Sequence, residues 1–99
     1  MDRDQIIQTL GRHSAELRSL GVRSLDLFGS RSRGDFRTDS DVDLLADFFR
    51  PVTLFQIARV QTRLQEILGG ISVDLVPRNC VPQDQLRAVQ GDIIHAVQN

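Results

Sequence analysis

Apolar residues Ile6, Ile7, Leu10, Leu17 and Leu20 recur at mostly three- and four-residue steps, which predicts an amphipathic helix over residues 3–20. Gly21 is placed to end it just past the C-cap. Residues 22–28 predict a strand, with Val22, Leu25, Leu27 and Phe28 as its apolar content. Gly29-Ser30-Arg31-Ser32-Arg33-Gly34 breaks that pattern as a small-residue turn that can open one short helix, and residues 35–40 read as a polar loop. Strand character returns over 41–48. Pro51 then punctuates, and Thr53 is a fair N-cap for a helix carrying Leu54, Ile57, Ala58, Leu64, Ile67 and Leu68. Gly69-Gly70 stop that helix. Residues 71–76 predict a third short strand ended by Pro77. A final helix is expected over 83–97, although Gly91 weakens its middle by about 1 kcal/mol relative to Ala.

The order αβ(α)βαβα, without internal repeat or linker, predicts a single domain over residues 1–99 in the α/β (α+β) class. Its expected form is a small three- to four-stranded sheet with helices packed on it. The pattern leaves the strand directions open. A chain of 99 residues holds one modest core. With 40% hydrophobic and 25% charged residues, its composition excludes a fibre or a disordered tail. No apolar run approaches the ~20 residues that span a bilayer, so no membrane partner is expected. The lone Cys80 excludes an internal disulfide and points to a reducing compartment, with the cytoplasm as the expected location.

Charge sharpens this reading. Twelve basic residues against thirteen acidic ones give a net charge of −1, which argues against direct nucleic-acid binding. Every basic residue is Arg. The acids are almost all Asp, a residue that favours caps, turns and ligand positions over helix interiors. Five Asp fall between residues 35 and 47, interleaved with Arg, which is unlike a solvated helix face.

Asp41 and Asp43 are two apart on a strand, so both carboxylates project to one face while Val42 and Leu44 enter the other layer. Two carboxylates ~5 Å apart repel by roughly 3 kcal/mol at an effective dielectric of ~20, unless solvent or a cation offsets it. Hard divalent cations such as Mg²⁺ take oxygen ligands of this kind. Asp74 stands inside the apolar run Ile71-Ser72-Val73-Asp74-Leu75-Val76, where an ionised group needs a partner or a metal. If its strand lies beside that of Asp41 and Asp43, it completes a three-carboxylate cluster; the plain alternative is a strand-edge Asp facing water. Gly29-Ser30 ends a strand, where glycine permits close backbone approach and exposed N–H groups bind phosphate oxygens. Arg31, Arg33 and Arg37 are near enough in sequence to supply positive charge.

Other chemistries fail on spacing. Gly29 and Gly34 imitate the two P-loop glycines, but Asp35 stands where that motif needs Lys. Asp39, Asp41 and Asp43 imitate a calcium loop, yet Leu44 and Arg50 occupy the positions of its Gly and Glu. His13, His95 and Cys80 lack zinc spacing. Ser30 lacks the Gly-x-Ser-x-Gly elbow of a serine nucleophile.

Gly29-Ser30, then Asp41-Val42-Asp43, with Asp74 on a later strand, resembles the nucleotidyltransferase superfamily of DNA polymerase beta. More narrowly, Gly29-Ser30-Arg31-Ser32-Arg33-Gly34, Ser40-Asp41-Val42-Asp43-Leu44-Leu45 and Val73-Asp74-Leu75-Val76 are similar to the minimal nucleotidyltransferases (MNT proteins). The resemblance spans about residues 22–78, and Ser32 departs from it where Ala is common. It implies a polymerase-beta-like fold with a mixed sheet, and an enzyme that uses ATP and two Mg²⁺ ions. Asp41, Asp43 and Asp74 would be its catalytic and metal-binding carboxylates, with Asp74 nearer the attacking hydroxyl. Gly29 and Ser30 would cradle phosphates, and Arg33 would be a further phosphate contact. Asp35, Asp39 and Asp47 are read as loop or surface charges.

So small a chain leaves few residues for an acceptor pocket, so a second polypeptide is expected to supply the acceptor. By resemblance that partner is a HEPN-domain ribonuclease toxin, and the chain is an antitoxin that transfers AMP to a toxin tyrosine. A weak or inactive enzyme that neutralises the toxin by binding is the alternative; transfer to a small molecule of the aminoglycoside kind ranks below it. Oligomeric state is open, a homo-oligomer included. His13 and His95 are expected on helices at the surface or boundary, and Cys80 as a small filler after a strand. Phe48, Phe49 and Phe55 are expected at core or interface positions.

Overall fold

The structure is a computed structural model and describes residues 2–28, 42–89, 91 and 93–99. Asp2 caps the first helix, α1 (Arg3–Arg12), its carboxylate accepting from the Gln5 N–H while the Gln5 side chain accepts from the Asp2 N–H. The helix expected over 3–20 is divided at His13, and α2 (Ser14–Ser19) follows. Gly21, at φ +92°, makes the turn into β1 (Val22–Phe28), as the sequence suggests. A register shift between Val22 and Ser24 lets Val22 and Leu25, three residues apart, both reach the core.

Strand β2 (Val42–Phe48) runs antiparallel to β1, and α3 (Leu54–Ile67) carries the chain across to β3 (Val73–Pro77), parallel to β2. The start of α3 is a capping box between Thr53 and Gln56. Its end is a double closure: Gly69 N–H donates to the Glu66 carbonyl and Gly70 N–H to that of Gln65, both glycines at positive φ. A short 3₁₀ turn (Arg78–Cys80) and α4 (Gln83–Val89) follow, and then β4 (Ile94–Gln98) pairs antiparallel with β1. The sheet order is β3-β2-β1-β4, a four-stranded mixed sheet of the kind the resemblance implied.

β4 corrects the expected final helix over 83–97. Without it the outer side of β1 would be an unpaired edge. The ladder that β4 makes there, extended by Asn99 N–H donating to the Arg23 carbonyl at 2.8 Å, outweighs helical propensity in a segment already weakened by Gly91.

One face of the sheet makes the core. Leu25, Leu27, Val42, Leu44, Ala46, Val73, Leu75 and Val97 project from the strands against Ile6 and Leu10 of α1, Leu17 of α2, and Val60 and Leu64 of α3. Phe48 packs against this cluster, whereas Phe49 and Phe55 are exposed. Cys80, expected as a filler, is also exposed, because the 3₁₀ turn carries it outside the layers. Among the described residues no helix is long and apolar enough to cross a membrane.

The helical layer is tied by Arg63 of α3, whose Nε and Nη2 donate to the two oxygens of Glu16 of α2, the second at 3.0 Å. That hydrogen bonding holds the Glu16 carboxyl below its ordinary range. A lowered folded pKa contributes stability that is present above the unfolded value of about 4.3 and lost as pH falls through the folded one. Both side chains are more than a third exposed, so the effect is small. The gap between the urea midpoints of wild type and Glu16→Gln should narrow as pH falls below about 4; a constant gap would count against the pair.

Candidate active site

The core face determines where the carboxylates go. Because Val42, Leu44, Val73 and Leu75 point inward, their neighbours Asp43 and Asp74 point to the opposite face. The parallel register pairs Val42 with Val73, Asp43 with Asp74 and Leu44 with Leu75, so the two acids are directly abreast. Two hydrogen bonds set the start of that register. Val42 N–H donates to the Ser72 carbonyl at 2.9 Å, and the side-chain carbonyl of Gln65, in the last turn of α3, accepts from Val73 N–H at 3.1 Å. On the other side Phe28, the last residue of β1, pairs with Asp43. Phe28, Asp43 and Asp74 therefore form one row across three strands.

This row borders a cavity of about 350 Å³. Leu45 and Val76 lie on the strands beneath it, and Val81, Gln85 and Leu86 reach it from the turn and α4. Leu45 is only 2% exposed yet stands outside the main core cluster. Among the described residues α4 covers part of this second face; Asp43 is half-buried and Asp74 exposed.

Of the residues singled out in the sequence, Asp43 and Asp74 are brought together. Gly29, Ser30, Arg33 and Asp41 lie outside the described residues, as do Arg31, Asp35, Arg37 and Asp39. Among the described residues no cluster of three acids, histidines or cysteines forms a complete metal site. The Asp43–Asp74 pair still fits a hard cation, since it offers oxygen donors only, from two rigid strands, on one cavity wall. Asp47 is partly buried and accepts from the Phe48 N–H at 3.1 Å.

A third acid on this face is absent from the sequence-based set. Asp26 of β1 is 1% exposed and the sole buried charged residue among those described. Arg78 Nη1 donates to its Oδ2 at 3.1 Å, and its Oδ1 is 2.6 Å from Nδ1 of His95. A carboxylate can only accept, so the ring proton of His95 sits on Nδ1. His95 therefore belongs to a strand, correcting the expected helix, while its ring stays largely exposed as expected. The signal was there: Asp26 stands between Leu25 and Leu27, just as Asp74 stands between Val73 and Leu75.

Asp26 thus binds β4 and the turn after β3 to β1. Arg78→Met would leave the buried carboxylate of Asp26 with His95 still bound and one oxygen deprived of its donor. It should cost about 3 kcal/mol, near the upper end for a hydrogen bond to a charged group. Asp26→Asn should cost less, because Arg78 and His95 are 39% and 60% exposed and can return to water. Urea denaturation of the two variants checks this order, and the reverse order would refute it.

Comparison with known proteins adds sequence-wide evidence. Residues 10–95 match the model of the nucleotidyltransferase domain family. Protein adenylyltransferase MntA of Thermococcus cleftensis is 33% identical over 93 residues, covering 93% of each chain. A solved structure assigned as a minimal nucleotidyltransferase superposes with a TM-score of 0.77 at 31% identity, over 95% of each chain. A complex of a tri-AMPylated Shewanella oneidensis HEPN toxin with an MNT antitoxin matches with a TM-score of 0.59 at 16% identity. That match covers 89% of this chain and 71% of the other, and it speaks to the fold alone.

Proposed function

This chain belongs to the nucleotidyltransferase domain family, in its minimal branch, and is a nucleotidyltransferase; on that premise we propose that it is a Mg²⁺-dependent protein adenylyltransferase. It transfers AMP from ATP to a tyrosine hydroxyl of a partner HEPN toxin in the cytoplasm and so acts as an antitoxin. The observation that carries this reading is the in-register meeting of Asp43 and Asp74 at one cavity.

Asp41 and Asp43 would hold the Mg²⁺ ions, and Asp74 of β3 would complete the set. The chemistry such ions would supply there is positive charge against the triphosphate and the pyrophosphate that leaves. Gly29 and Ser30 cradle the outer phosphates, with Arg33 as a further cationic contact. The phenolic oxygen forms a bond to the α-phosphorus, and the bond from that phosphorus to the bridging oxygen of the β-phosphate breaks. The bonding electrons leave with pyrophosphate, and Asp74 takes the phenolic proton and passes it to water. Positioning and charge stabilisation account for the acceleration.

Labelled ATP and Mg²⁺ with a HEPN partner, where one is encoded beside this chain, should give a labelled toxin. Asp41→Asn/Asp43→Asn should lower the rate at least a hundredfold, and undiminished labelling would sink the proposal. Mg²⁺ should also raise the melting temperature of the wild type and leave that of Asp43→Asn/Asp74→Asn unmoved, a shift read without any acceptor.

The exposed Phe49, Leu54 and Phe55 favour a second reading, neutralisation by binding alone. Full neutralisation by Asp41→Asn/Asp43→Asn would select it.

A further inference from the structure

We propose that the outward face of α3 pairs two copies of this chain, antiparallel about a two-fold axis, with Arg59 of each copy meeting Glu66 of the other. The inference goes beyond the adenylyltransferase reading and does not depend on it.

α3 has two faces. Val60 and Leu64 enter the core, whereas Phe55, Ala58, Arg59, Thr62, Arg63 and Glu66 follow one another at three- and four-residue steps along a groove of about 430 Å³. Phe55 is 84% exposed and offers a ring that association would bury. The next two turns of this face present Ala58 and Thr62, short enough for a second helix to approach closely.

Charge selects the occupant and its direction. Arg63 is already engaged, donating to both oxygens of Glu16 and, through Nη1 at 3.4 Å, to Oε2 of Glu66. Among the described residues Arg59 has no ion-pair partner, and Oε1 of Glu66 takes no hydrogen bond. The face therefore offers a cation and a carboxylate oxygen two helical turns apart. Parallel packing of two copies would set Arg59 on Arg59 and Glu66 on Glu66. Antiparallel packing sets each on its opposite, and a two-fold axis makes that contact twice. The same register carries Phe55 of one copy toward the Gly69-Gly70 end of α3 in the other, where a side chain would find nothing within 4 Å. Because α3 packs on the core face, this pairing leaves the opposite face, with Asp43 and Asp74, free of the second copy. The patch is one helix of 14 residues, ~21 Å long, so the interface is small and the dimer weak.

Sedimentation velocity of the full chain, carried to ~100 µM to suit so small an interface, should show the wild type passing from monomer to dimer. Arg59→Glu or Glu66→Arg sets like charges at both contacts and should weaken dimerisation about tenfold. An equimolar mixture of these two variants should recover the wild-type affinity, since each reversed charge then meets its complement. Phe55→Ser should also weaken dimerisation about tenfold, with circular dichroism checking that every variant is folded. A wild type that stays monomeric, single variants that dimerise like it, or a mixture no tighter than its components would overturn the proposal. A wild type monomeric alone that binds a HEPN partner through Phe55 would assign this face to the toxin and overturn it equally. No ATP, Mg²⁺ or acceptor enters the sedimentation experiment, so its failure leaves the adenylyltransferase reading standing.

Discussion

The parallel pairing of β2 with β3 is the constraint on which the site depends. Side chains alternate along a strand, so a slip of one residue would turn Asp74 into the core and Val73 and Leu75 out to water. Burying two such side chains stabilises the observed register by about 1.5–3 kcal/mol each. Two carboxylates abreast repel by roughly 3 kcal/mol at an effective dielectric of ~20. Burial wins, so the acid pair is held together by residues that never touch a substrate. The contact from Gln65 to the Val73 N–H and the double glycine closure of α3 add a local clamp on the same register.

Asp26 extends that logic to the second face. A carboxylate 1% exposed is tolerated because Arg78 and His95 supply its hydrogen bonds, and those partners come from opposite flanks of the sheet. One is four residues past Asp74, the other on the last strand. The clasp therefore joins the outermost strand to the segment that leads into α4, and α4 supplies Gln85 and Leu86 to the cavity. The energetics of a buried ion pair and the shape of the site are linked through this short connection.

Much of this was legible in the sequence wherever one local rule acted alone. The capping by Thr53, the stop at Gly69-Gly70 and the turn at Gly21 are decided within a few residues, and their positions could be read directly. Asp43 and Asp74 were legible for a different reason: an acid amid apolar neighbours on a strand has to be accounted for. The same rule applied to Asp26 would have found it, but its partners Arg78 and His95 are 52 and 69 residues away, separations that only the sheet order closes. β4 was hidden because Leu86, Val89, Ile93 and Val97 satisfy a helical spacing. The need of β1 for an outer neighbour, which overrides that spacing, is a property of the assembled sheet.

The two faces differ in how completely they are covered. Among the described residues three helices pack on the core face, whereas the face that carries Asp43 and Asp74 has the seven residues of α4. A cavity with Asp74 exposed at its rim admits water freely, and carboxylates act more strongly on developing charge where water is excluded. The described residues after α4 belong mainly to β4, which pairs with β1 on the far side of the sheet from Asp74. A protein acceptor brings its own apolar surface around the reacting hydroxyl, and a small diffusing molecule does not. Under the proposed adenylyl transfer, the surface of the acceptor adds to the cover that the described residues give this face.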